Sequence, residues 1–194
     1  MYKKQMTIQR ILCLAAIIAS VVVFLYALGV MTDLYDSLYR PNDLKDLITV
    51  EGSSVYIDMQ GFNQKLLMGS IGMILLGVFL FVTNTHIRRR YYIGNYVATG
   101  AYAVASAALA AFSHAEIEVY KAQFLQVDFE ALKFFTEMFP ENLYTESTFW
   151  FGAHYFVFGL LLLVAVLLIA NACWKVYLMH KEAKLVAAGR GIAA

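Results

Sequence analysis

Four runs of this 194-residue chain contain no Asp, Glu, Lys or Arg: 11–31, 66–82, 93–112 and 149–173. Each has roughly 17 to 25 residues, and at about 1.5 Å per residue such a run spans most or all of the ~30 Å hydrocarbon layer of a membrane. Inside hydrocarbon a backbone finds no water, so a crossing segment must satisfy its own N–H and C=O groups as a helix. The fold expected is therefore all-α: an integral membrane protein built as a four-transmembrane-helix bundle of two helical hairpins. The composition, 61% hydrophobic and 15% charged, suits a chain of this kind and leaves no flexible linker, so 1–194 reads as one domain.

The formal net charge of +1 conceals a strong segregation. Ten of the 15 basic residues lie in three places: Lys3, Lys4 and Arg10 near the start, Arg88, Arg89 and Arg90 between the second and third runs, and Lys175, Lys181, Lys184 and Arg190 after the fourth. Thirteen of the 14 acidic residues lie in 33–65 and 113–148. Basic segments stay on the cytoplasmic side, which puts both termini and the arginine turn inside and both long segments outside. The arginine triplet sets this topology and is also a candidate for anionic lipid headgroups. A signal peptide cleaved after Ala27-Leu28-Gly29 is the alternative reading of the first run, but its apolar stretch is too long for one. Compact loops without organelle signals point to the bacterial cytoplasmic membrane.

Small residues mark where helices approach closely: Gly69, Gly72 and Gly77 in the second run, Gly94, Ala98, Gly100 and Ala105 in the third, Gly152 and Gly159 in the fourth. The outer segments are expected to pack as a small extracytoplasmic cap. Within it, 47–50 and 55–59 read as a short β-hairpin around Glu51-Gly52-Ser53-Ser54, and 127–139 as an amphipathic helix stopped by Pro140. The third helix is expected to continue outward through 115–125. Ser147 or Thr148 is placed to cap the fourth. Tyr56, Phe62, Phe134, Phe135 and Trp150 are the candidate contacts for a partner protein.

Chemistry is sparse. His114 and His154 lie near the outer ends of the third and fourth runs and are weak candidates for axial haem ligands; His86 and His180 fall on the cytoplasmic side. Interfacial histidines bonded to neighbours are the plainer reading, with His154 singled out because a polar ring within an apolar run needs a partner. Asn95, Thr99, Tyr102 and Ser106 form a polar stripe that either lines a path or hydrogen-bonds between helices. The outer acids Asp58, Glu116, Glu118, Asp128 and Glu130 match no calcium-loop spacing. Cys13 and Cys173 are far apart and form no redox motif. No catalytic or phosphate-loop motif occurs, no cofactor is implied, and nothing suggests nucleic acid. The expected function is that of a non-enzymatic accessory or structural subunit, binding other membrane or extracytoplasmic proteins, or copies of itself, through its cap and small-residue faces. The alternatives are a small oligomeric channel or carrier using the third helix's stripe, and then a haem b electron carrier.

Overall fold

The computed structural model describes residues 2–34, 50–84, 93–131, 133 and 145–192. Four long helices dominate it: α1 Tyr2–Asp33, α2 Val55–Asn84, α3 Ile93–Phe124 and α4 Phe149–Ile192. All four are long and apolar enough to cross a membrane. With 32, 30, 32 and 44 residues, each outruns a hydrocarbon layer of about 30 Å, α4 by the most.

Local chemistry fixes the helix ends. α2 starts at a serine pair: the Ser54 carbonyl accepts from the Asp58 N–H at 2.9 Å, and Asp58 adds an acid to the first turn, where the helix dipole favours one. α4 starts beyond Ser147, whose hydroxyl accepts from the Phe149 N–H at 3.2 Å, while the Thr148 carbonyl takes the Gly152 N–H. α3 closes with turn bonds from Gln126 to Gln123 and from Val127 to Phe124. Val55, Tyr56, Ile57 and Met59 therefore lie in a helix, and no strand occurs among the described residues, so the expected β-hairpin is overturned. The β-branched residues there follow a serine cap and feed an unbroken helical pattern, and that context overrides their strand preference.

The helices form a closed ring in which α1 packs on α2 and α4, and α3 packs on α2 and α4. Neighbours run antiparallel, as paired residues show: Gln9 with Asn84 and Ile17 with Gly77, then Gly69 with Leu109 and Tyr56 with Phe124, then His114 with His154 and Tyr96 with Met179. At mid-bundle the Tyr102 hydroxyl crosses from α3 to α1, donating to the Ala16 carbonyl at 2.8 Å and meeting Ser20 Oγ at 3.0 Å. At the end away from the termini, Tyr56, Phe124, Phe129 and Phe151 stack in an aromatic cluster.

Glycine places the backbones at two points. Beside Gly77 the Cα of Ile17 would lie 3.4 Å from an added β-carbon, so α1 and α2 approach backbone to backbone. Gly52 has a φ of 76°, and a β-carbon there would stand 2.7 Å from the Gln126 carbonyl oxygen. Glycine at that point lets 50–54 lie on 126–128, where the Asp128 N–H donates to the Glu51 carbonyl at 3.1 Å. Asp128 Oδ1 in turn accepts from the N–H groups of Glu130 and Ala131, opening a helical turn. Most of the expected 127–139 helix lies outside the described residues, as do Arg88, Arg89, Arg90, Phe134, Phe135 and His86.

Candidate functional site

α3 runs unbroken past Phe112 and carries two polar residues one turn apart, His114 and Glu118, on the face turned to α4. α4 answers with His154 and Tyr155. His154 is 1% exposed, whereas His114 and Tyr155 are exposed. The imidazoles meet edge to edge, with His114 Nδ1 3.0 Å from His154 Nε2 and ring centres 5.3 Å apart. Glu118 Oε1 lies 3.9 Å from His154 Nε2 and accepts a 2.7 Å hydrogen bond from the Tyr155 hydroxyl.

One contact fixes the proton pattern. His154 Nδ1 lies 2.6 Å from the Phe151 carbonyl, which can only accept, so Nδ1 carries the proton and, in the neutral ring, Nε2 presents a lone pair. His114 Nδ1 must then donate to it. A buried imidazole with its far nitrogen tied to a backbone carbonyl and its near nitrogen turned toward another imidazole and a carboxylate is the arrangement of a ligating histidine.

Below this cluster an apolar groove of about 450 Å³ runs between α3 and α4, lined by Ala107, Ala110, Ala111, Phe158, Gly159 and Leu162, with His114, His154 and Tyr155 at its mouth. Of the glycines expected to pack helices, Gly69 and Gly77 meet a neighbour within the bundle, Leu109 and Ile17. Gly72 on α2 meets nothing, and on α3 and α4 neither do Gly100, Gly152 and Gly159: a β-carbon at any of them would find no heavy atom within 4 Å. Those three do not close the bundle, because helix rotation points them outward; Gly152, Tyr155, Gly159 and Leu162 follow one stripe of α4. Ala98 and Ala105 pack into the core, and Gly94 is half-buried.

The other sequence candidates are placed less suggestively. Tyr56 is 0% and Phe62 3% exposed, so both are core residues and not contact residues; their aromatic bulk fills the space between α2 and α3. Trp150 is half-buried against α1. Asn95, Thr99, Tyr102 and Ser106 are all buried, and the Thr99 and Ser106 hydroxyls donate to carbonyls of their own helix. That stripe therefore faces the bundle interior and has no side turned to a neighbouring copy. Axial ligands of a haem iron would stand about 4 Å apart with the porphyrin between them, wider than the direct His114–His154 contact.

A second polar layer sits at the end that holds both termini. The Gln9 amide donates to Asn84 Oδ1 at 3.3 Å, and the Asn171 amide donates to Gln9 Oε1, joining α1, α2 and α4. One turn further out, Gln5 is fully buried and Lys175 is 5% exposed, its ammonium 5.2 Å from the centre of the Tyr96 ring. The sequence marks Glu118 only as one of the outer acids and gives Tyr155 no part in a site. The signal for Glu118 is the H-x-x-x-E spacing of α3, which places it on one face with His114; nothing in the sequence marks Tyr155. No family model, curated protein or solved structure matches the chain.

Proposed function

We propose that this chain is a non-enzymatic, multi-pass subunit of a cell-membrane assembly, receiving a transmembrane helix of a partner protein in the groove between α3 and α4. The observation that carries the reading is the division among its glycines. Some are used up inside the bundle, while others remain uncovered: Gly61 and Gly72 on α2, and Gly100, Gly152 and Gly159 on the two helices that form the groove, where Gly159 lines it directly. Lipid chains take up any side-chain shape, so small residues gain nothing against lipid; they gain when a second backbone comes close enough to pack. Alanines 107, 110 and 111 extend the same shallow surface. With the basic segments placed inside, both termini are cytoplasmic and the His114–His154 end faces outward.

Groove filling is the test. Gly159→Leu has room for its side chain within the chain itself, so the bundle should keep its helical content and thermal midpoint. Purified gently from its own membrane, the wild type should run as an assembly and Gly159→Leu as the lone chain. Identical assemblies from both would remove the groove from the interface.

A further inference from the structure

We infer that His114, Glu118 and His154 form a binding site for a first-row transition-metal dication, zinc above all, clamping α3 to α4. The site does not depend on what occupies the groove below it.

The three side chains offer two imidazole nitrogens and a carboxylate oxygen within 4.8 Å of one another. Tetrahedral coordination with metal–ligand bonds of ~2.0–2.2 Å sets neighbouring ligand atoms roughly 3.3 Å apart. His114 Nδ1 and His154 Nε2 stand at 3.0 Å, and His154 Nε2 and Glu118 Oε1 at 3.9 Å, so side-chain adjustments of about 0.3–0.6 Å bring these two pairs to coordination distance, with the third pair within 4.8 Å. His114 and Glu118 are free to make them, since one is exposed and the other half-exposed. His154 does not need to move.

The groups around two of the ligands already hold them in ligating form. The Phe151 carbonyl fixes the His154 proton on Nδ1 and leaves Nε2 for the metal. The Tyr155 hydroxyl holds one oxygen of Glu118 and limits its rotamers. His114 must release the Nδ1 proton it shares with His154. It does so by taking the other neutral tautomer through exchange with water, losing one proton from Nδ1 and gaining one on Nε2, with no net change of charge. The bound dication and the Glu118 carboxylate together leave a single positive charge at the mouth of the groove, where water completes the coordination.

Donor chemistry selects the ion. Two imidazoles with one carboxylate suit zinc, iron, cobalt, nickel or copper and discriminate against calcium and magnesium, which want a shell of oxygens.

The full chain, purified in mild detergent and stripped with a chelator, should take up one Co²⁺ per molecule with visible ligand-field absorption, and Zn²⁺ should displace it. His114→Gln and Glu118→Gln change residues outside the buried core and should each weaken binding roughly 100-fold or more, while Tyr155→Phe, which loses only the hydrogen bond to a ligand, should weaken it about 10-fold. His180→Gln, at the opposite end of α4, should bind as the wild type does. Circular dichroism verifies that each variant is helical, and should one of the two ligand variants fail to fold, the other decides. Absence of stoichiometric uptake by the folded wild type, or uptake unchanged by loss of a ligand, would overturn the site.

Discussion

The indole of Trp150 lies directly on Gly29. A β-carbon at that glycine would stand no more than 2.7 Å from three atoms of the ring, so helix or ring must shift to admit one. Tyr26 packs against it with ring centres 5.9 Å apart and donates its hydroxyl to the Trp150 carbonyl at 2.9 Å, while Phe149 meets it at an edge with centres 5.1 Å apart. Position 29 is therefore a socket cut into α1 for a side chain of α4.

Filling that socket should lower stability. Gly29→Ala is expected to cost about 1–3 kcal/mol, the usual penalty for overpacking a formed contact, read as a lower thermal midpoint in detergent. Gly29→Ala combined with Trp150→Phe, which shortens the intruding ring, should recover part of the loss.

Gly77 and Gly159 should behave oppositely. Leucine at 77 must push α1 away at the level of Ile17 and should destabilise by a similar ~1–3 kcal/mol; leucine at 159 should leave the thermal midpoint unchanged. Equal effects at the two positions would show that the open stripe is not open.

In the Gln9, Asn84 and Asn171 layer the cost should be non-additive. Gln9→Leu alone strands two buried amides and should cost about 1–3 kcal/mol, whereas the triple replacement by leucine removes every polar group together and should cost less than the singles combined. Denaturant unfolding of the wild type, the three single variants and the triple variant measures the coupling.

Lys175 should be dispensable. It is buried, and no carboxylate pairs with it among the described residues, so Lys175→Met removes a charge whose burial is unfavourable and loses only the contact with the Tyr96 ring. The thermal midpoint of Lys175→Met should equal or exceed that of the wild type.

The helices were legible because one property, the absence of charge over a membrane-length run, is set by solvent and not by tertiary detail. What failed was local. Val55, Ile57 and the Gly-Ser turn before them imitate a strand and its turn, but Ser54 followed by Asp58 was the stronger signal, a helix cap with an acid in its first turn. The site was half legible. The sequence pairs His114 with His154 and predicts the outward continuation of α3, but spacing alone does not set the two histidines at one level. In the structure α3 continues helical to Phe124, and the antiparallel packing of α4 sets His154 opposite His114 and one turn from Glu118. Which glycines face inward could not be read from spacing, since a helix with small residues on several sides does not say which side its partners take.

The most direct measurement on the proposed subunit role places a photo-activated cross-linking side chain at Ala107, in the groove, and in a second chain at Leu75, on the exposed apolar face of α2. Irradiated in native membranes, the chain labelled at 107 should give one discrete protein adduct that disappears when Gly159→Leu is added, while the chain labelled at 75 gives none. Lipid adducts alone at 107, or the same protein adduct from both positions, would contradict a helix-docking groove between α3 and α4.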